Sequence, residues 1–258
     1  MAKPPYTDFR RRLKAREYVL GTFVKTPTTH ATEILGAMGF DFVVIDQEHA
    51  PIDLGAIDMM VLGARASNIA GIVRVNEPSD GNILAVLDCG ASGILVPHVD
   101  GVEKAKAVAS ACRYRGGRRG FANTTRAGGF GDRSFAEHMD ASDEQVACIA
   151  MIEDLAAIER IDAIAAVPGI DAFFIGRGDL TAAIEAPSMT SPETHRLVEP
   201  IMKAAHKAGM PVIMLSPDRT DAVAMAKLGA TAFMVSSDHG FLKTAARQAL
   251  KDFAPPIR

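Results

Sequence analysis

The chain has no tryptophan, and aromatic residues make up only 6% of its 258 positions. It has three cysteines, Cys89, Cys112 and Cys148, far apart and in no CxxC or Cys/His cluster. So sparse and odd a set argues against a disulfide framework or a thiolate zinc site and reads as reduced, packed thiols in an intracellular protein. No apolar run approaches the roughly 18 residues of a membrane span. The segment Met1–Tyr18 is rich in Lys and Arg and lacks the apolar centre of a secretory signal. A surplus of positive charge is also missing, with 28 Lys and Arg against 31 Asp and Glu and a net charge of −3. That balance speaks against a nucleic-acid partner, whose footprint is an excess of Lys and Arg. The expectation is a soluble, cytoplasmic globular protein that touches neither membrane nor nucleic acid.

What is present is a rhythm. Short apolar runs recur at Tyr18–Val24, Asp41–Asp46, Gly71–Val75, Gly93–His98, Val146–Glu153, Asp171–Gly176, Pro211–Ser216 and Thr231–Ser236. Helical patterns lie between them, at Thr29–Met38, Leu54–Ser67, Asn82–Cys89, Val102–Cys112, Leu155–Val167, Pro192–Ala208, Thr220–Leu228 and Phe241–Phe253. Continuous rather than alternating hydrophobicity in the runs suggests parallel strands covered on both faces. Eight strand–helix units in about 250 residues match a TIM (β/α)8 barrel formed by 1–258 as one domain. The competing doubly wound sheet also alternates strands and helices. Against it, the turn after the first strand is Lys25-Thr26-Pro27-Thr28-Thr29, not GxGxxG. The segment Arg113–Arg133 breaks the rhythm as a basic insertion without apolar period. Such insertions serve as lids or stay disordered; a nucleic-acid patch fits the overall charge less well than a solvated loop or subunit contact.

In a TIM barrel the functional groups stand at the C-terminal ends of the strands. The polar residues there are Asp46-Gln47-Glu48-His49, Arg74, Glu153-Asp154 and Arg177-Gly178-Asp179. Glu153 and Asp179 are candidate ligands for a hard divalent ion, with water and substrate oxygens completing its shell. The alternatives are an N-cap for Asp179 and an exposed strand-end charge for Glu153. Asp46 and His49, three residues apart, suit a carboxylate orienting an imidazole that acts as general base, or else a loop salt bridge. Arg74 in an apolar strand needs a buried partner, for which Glu48 is available, or an anionic ligand. His98 either faces the mouth or bonds backbone, and capping suits His239 better than phosphate binding. His30, His138, His195 and His206 read as surface or helix residues, and the twelve methionines as core filler.

The stretch Phe40–Ala50, with Asp46-Gln47-Glu48-His49-Ala50 at its end, resembles the Asp-x-Glu-His-Ala/Gly signature of the HpcH/HpaI aldolases, metal-dependent class II pyruvate aldolases. Val73-Arg74-Val75-Asn76 is similar to their arginine strand. Met151-Ile152-Glu153 and Phe174–Thr181 are similar to their two metal-ligand segments, and the resemblance runs in order from about Gly21 to Ala249. It implies a barrel whose C-terminal helix is exchanged between subunits of a homotrimer or homohexamer. It also implies a divalent ion (Mg²⁺, Mn²⁺ or Co²⁺) on Glu153 and Asp179, with Arg74 on pyruvate and enolate. His49 would do acid/base work, oriented by Asp46, and N–H groups around Gly178 and Asp179 would hold the pyruvate carboxylate. The implied reaction cleaves 4-hydroxy-2-oxo acids to pyruvate and an aldehyde through a metal-stabilised enolate, without a Schiff-base lysine. Two positions depart from the family pattern: Met151 stands where many relatives carry Gln, and Gly176-Arg177-Gly178-Asp179-Leu180 replaces Gly-Pro-x-Asp-Leu. Oxaloacetate decarboxylation or CoA-ester cleavage on the same fold is the alternative. A non-catalytic binding protein is disfavoured because Asp46, His49, Arg74, Glu153 and Asp179 are all present.

Overall fold

Eight apolar runs form strands in the computed structural model, which describes residues 3–255; the ends of the expected 1–258 domain lie outside the described residues. The strands are β1 (Val19–Val24), β2 (Phe42–Asp46), β3 (Ala70–Arg74), β4 (Gly93–Val96), β5 (Ala147–Ile152), β6 (Ala172–Ile175), β7 (Val212–Leu215) and β8 (Ala232–Ser237). Each pairs in parallel with the next and β8 pairs with β1, closing a barrel. Closure excludes the doubly wound alternative. The expected boundaries hold to within one or two residues.

The continuous hydrophobicity of the strands divides with a period of two. Phe42, Val44, Ile72, Ile149, Met151 and Phe174 fill the barrel interior. Val43, Ile45, Val73 and Phe173 face outward and pack beneath the helices. A short helix over Phe9–Lys14, absent from the sequence reading, closes the floor: its Phe9 and Leu13 join the interior cluster, and the Phe9 ring lies 5.1 Å from that of Phe42. Its three arginines gave that segment the look of a polar tail. At the opposite end the inward rows continue two residues further. They present Lys25 after Phe23, Asp46 after Val44, Arg74 after Ile72, Glu153 after Met151 and Gly176 after Phe174. The mouth is therefore the top layer of the barrel's own side-chain stack.

The Leu155–Val167 pattern is two helices, Leu155–Glu159 and Ile161–Ala165, broken at Arg160. The basic insertion is ordered by ion pairs. Arg113 meets Asp171 at 2.7 Å, Arg118 meets Asp80 at 2.6 Å, Arg119 meets Asp88 at 3.1 Å and Arg126 meets Asp58 at 2.7 Å; Arg115 pairs with Asp140. These partners bind it to the helices Leu54–Ala66 and Asp80–Asp88, outside the barrel, and it contributes nothing to the lining of the mouth. A further helix, Phe135–Gln145, follows it behind a capping box formed by Ser134 and Glu137. Of the two readings of His138, surface or helix, the helix holds, and the residue is completely buried in it. Among the described residues no helix is long and apolar enough to cross a membrane.

Gly93 marks the tightest point of the wall. A Cβ there would stand 2.4 Å from the Ala147 carbonyl oxygen and 2.8 Å from the Ala147 Cβ in the neighbouring strand. Gly93→Ala is expected to cost about 1–3 kcal/mol through overpacking, lowering Tm by roughly 2–10 °C. Gly81→Ala, whose Cβ would meet nothing within 4 Å, serves as the control. Equal melting temperatures for the two variants would contradict this packing account.

Candidate active site

β2 and β3 pair in a register that sets Asp46 beside Arg74. Arg74 Nε donates to Asp46 Oδ1 at 2.9 Å and Nη2 donates to Oδ2 at 2.8 Å, a bidentate pair in which the carboxylate is fully buried. Lys25 Nζ lies 3.1 Å from the same Oδ2, and the His49 backbone N–H donates to Oδ1 at 3.1 Å. Burial opposes charge on Asp46, but the Arg74 guanidinium, helped by the His49 N–H and Lys25, outweighs it and holds the pKa below the usual range. Arg74 Nη1 reaches Glu48 Oε2 at 3.0 Å, and the guanidinium lies over the Phe23 ring, 4.9 Å from its centroid.

This geometry changes the expected pairing. Asp46 was expected to orient the His49 imidazole; it takes the His49 main chain instead, and its lone pairs go to Arg74 and Lys25. The imidazole is 58% exposed, with Nε2 3.7 Å from Glu48 Oε2. Glu48 is a partner of Arg74 as expected, with Asp46 as the stronger one.

Across the mouth Glu153, 3% exposed, accepts the His98 backbone N–H at 2.8 Å. Burial raises its pKa to about 7; the His98 N–H opposes the rise, and the neighbouring Asp179 carboxyl adds to it. Gly176 is required here, because a Cβ would stand 2.7 Å from Glu153 Oε2. His98 holds a left-handed backbone (φ +53°), and its Nδ1 lies 3.2 Å from Asp154 Oδ2 and 3.5 Å from Glu153 Oε1. Burial pulls the His98 pKa down, but Glu153, Asp154 and Glu48 together raise it. Asp179 is exposed, in the first turn of the helix Arg177–Ala183, and Gly178 beside it faces open space.

A cavity of about 520 Å³ joins the two sides, lined by Lys25, His49, Arg74, Gly178 and Asp179 together with Phe23, Met151 and Phe174. Arg177 also lines this cavity, but its side chain is buried and its guanidinium is already taken up. It forms a bidentate pair with Asp221 at 2.8 and 2.6 Å and donates to the Leu215 carbonyl, so it adds no free cation to the site. Lys25 and His98 are the groups that the sequence reading underweighted. The two-residue step from Phe23 in the inward row was the signal for Lys25; the left-handed turn at His98 had none.

The donor set suits a hard cation. Glu153 and Asp179 place two carboxyl groups together, and burial keeps the pKa of Glu153 raised even though His98 lies beside it and lowers it. Among the described residues no set of three His, Cys, Asp or Glu side chains converges on one point, so solvent and substrate oxygens would complete the coordination.

Comparison with known proteins agrees with the geometry. The HpcH/HpaI aldolase/citrate lyase family profile matches residues 20–245. A 5-keto-4-deoxy-D-glucarate aldolase from Enterobacter sp. (strain 638) is 32% identical over 95% of this chain and 96% of its own length. An HpcH/HpaI aldolase/citrate lyase family protein from Burkholderia cenocepacia J2315 superposes with a TM-score of 0.89 at 27% identity, covering 95% of this chain and 98% of that one. The citrate synthase SbnG superposes with a TM-score of 0.85 at 29% identity, over 94% of this chain and 96% of its own.

The raised pKa of Glu153 makes a signed prediction. The folded chain binds this proton more tightly than the unfolded chain, so the group's contribution to stability falls as pH rises from about 4.5 to about 7. A divalent ion must displace the proton. Its affinity is therefore expected to rise with pH up to about 7 and then level off, with proton uptake by the buffer visible in calorimetry. Glu153→Gln is expected to abolish binding. Affinity that stays flat between about pH 5 and 8 would contradict the assignment.

Proposed function

The chain belongs to the HpcH/HpaI aldolase/citrate lyase family and is a carbon–carbon lyase, and on that premise we propose that it reversibly cleaves 4-hydroxy-2-oxo acids to pyruvate and an aldehyde. The observation that carries this reading is the pair of opposed walls around one cavity. The Arg74 guanidinium, locked by Asp46 and Glu48, lines it on one side and Asp179 on the other, with the Glu153 carboxyl buried behind Asp179.

Arg74 faces the oxygen that becomes negative as the C3–C4 bond breaks and its electrons pass to the C2 ketone. Because two hydrogen bonds to Asp46 and the ion pair with Glu48 fix the guanidinium beforehand, it need not reorganise as that charge develops, which is where preorganised electrostatics count most. His49, which lines the cavity, takes the proton of the 4-hydroxyl and returns it in the synthetic direction. Backbone N–H groups at Gly178 and Asp179 receive the pyruvate carboxylate. Glu153 and Asp179 hold the divalent ion (Mg²⁺, Mn²⁺ or Co²⁺), which when bound supplies Lewis-acid polarisation of the 2-oxo acid oxygens. The apolar side of the cavity, Phe174, Met189 and Leu215, receives the aldehyde chain.

The likeness to the citrate synthase SbnG favours a second reading, oxaloacetate decarboxylation or CoA-ester cleavage through the same enolate. A substrate panel separates the two.

The assembly is a homotrimer or homohexamer that exchanges its last helix. Two observations support this. The helix Asp238–Asp252 buries no residue, leaving Leu242 71% and Leu250 75% exposed. The outer faces of β1 and β8, with Tyr18, Leu20, Phe233 and Val235, line an apolar groove of about 690 Å³.

With a divalent ion the purified protein is expected to release pyruvate from 4-hydroxy-2-oxo acids, 5-keto-4-deoxy-D-glucarate being the first to test, and excess chelator is expected to stop it. Arg74→Lys, which cannot reproduce the bidentate pair, is expected to lower kcat/KM by about 10²–10³-fold. Turnover untouched by chelator, or by Arg74→Lys, would refute the reading. Leu242→Asp with Leu250→Asp is expected to reduce the assembly's mass in light scattering; an unchanged mass would refute the exchange.

A further inference from the structure

The insertion Arg113–Arg133 encloses a second, smaller cavity of about 70 Å³ at the floor of the barrel, at the end away from the mouth. Arg65 lines it from the last turn of the helix Leu54–Ala66, Arg119 and Arg133 from the insertion, Ser92 from the residue before β4, and Ser142 from the helix Phe135–Gln145. Among the described residues no Asp or Glu lines it.

Charge accumulates around this space. Arg65 Nε donates to the Tyr6 hydroxyl at 3.0 Å, and neither Arg65 nor Arg133 has a carboxylate within 4 Å among the described residues. Arg126 lies beside Arg65 over Gly90: a Cβ at Gly90 would meet Arg65 Nη1 at 2.6 Å and Arg126 Cδ at 3.3 Å. Asp88 on Arg119 and Asp58 on Arg126 are the carboxylates paired with this group. Four guanidiniums against these two paired carboxylates leave an excess of positive charge, which Glu137, four residues after Arg133 and interacting with it, offsets only in part. The Arg119 side chain is fully buried, its Nε and Nη1 make no hydrogen bond, and neither does Arg126 Nε. Asp88 and the Tyr114 ring, 4.6 Å from the guanidinium, meet the charge of Arg119, so what lacks a partner is its N–H groups, and native interiors supply a hydrogen-bond acceptor to buried donors.

We propose that this cavity is a binding site for a doubly charged tetrahedral oxyanion, inorganic phosphate, held by Arg65, Arg119 and Arg133 with the Ser92 and Ser142 hydroxyls. Guanidinium forks match the oxygen spacing of such an anion, and its negative charge offsets the local excess of guanidiniums. The cavity's size admits a single oxyanion and excludes a nucleotide. By joining both ends of the insertion to the helix Leu54–Ala66 and to the entry of β4, the anion fastens the insertion to the barrel floor. The site is independent of the chemistry at the mouth.

Thermal unfolding of the full chain in sodium phosphate, against sodium chloride of matched ionic strength, tests this. A saturable, phosphate-specific rise in Tm is expected. It should persist in Arg74→Met, which removes one of the mouth's cations beside Lys25, and the phosphate affinity should weaken at least about tenfold in Arg133→Met. Arg133 is exposed, so this variant is expected to fold, and Arg65→Met provides a second test from a different element. No phosphate-specific rise, a rise undiminished in both Arg133→Met and Arg65→Met, or a rise lost in Arg74→Met would overturn the proposal. Glycerol phosphate is expected to give no rise; an equal rise would overturn the assignment to the free anion.

Discussion

The ion pair between Asp46 and Arg74 is the interaction on which the rest of the mouth depends. It joins adjacent strands at paired register positions, buries one partner completely, and uses both carboxylate oxygens. Removing either partner would strand the other's buried charge, at a cost of about 3–5 kcal/mol. The pair also does something less local. With Asp46, Glu48 and the Phe23 ring holding the guanidinium, Arg74 does not cross the cavity to neutralise Glu153. The carboxyl on the far side is left with His98 and Asp179 as neighbours and keeps its proton to about pH 7. A cationic wall and an acidic wall therefore face each other without collapsing together.

That separation suits the proposed cleavage of a 2-oxo acid, in which an oxygen that gains negative charge would sit between a fixed cation and a Lewis acid, and both walls are in place before substrate arrives. The two sides differ in rigidity. Arg74 and Asp46 belong to paired strands, and Glu153 follows directly from one, whereas His49 and Asp179 stand on the connections beyond, both exposed. The groups proposed to stabilise charge are thus held by the barrel, and those proposed to move a proton or that meet solvent are carried by loops, a common division in this fold.

Most of the architecture was legible in the sequence because parallel strands buried on both faces leave continuous apolar runs followed by helices, with a turn glycine such as Gly39 or Gly229 before many of the next strands. The elements that escaped are those whose burial is partial. Phe9–Lys14 hides two apolar residues among arginines, and Phe135–Gln145 buries a histidine rather than an aliphatic face. The site's membership was legible from strand ends, but its pairing was not. Three-residue spacing joined Asp46 to His49 on paper, whereas the register between β2 and β3, which no local spacing encodes, gave the carboxylate to Arg74. Arg177 is a similar case. Sequence placed it beside Asp179, and the fold turned it toward Asp221, forty-four residues on.

The central claim is that these walls stabilise a pyruvate enolate, and proton exchange at the pyruvate methyl group reads that species without requiring the natural aldehyde. Purified protein with a divalent ion, incubated with pyruvate in deuterium oxide and followed by proton NMR, is expected to replace the methyl protons with deuterium, and Arg74→Lys is expected to slow the exchange by about 10²-fold or more. Methyl protons that exchange no faster than in buffer with the metal alone, or equally fast in wild type and Arg74→Lys, would contradict the account.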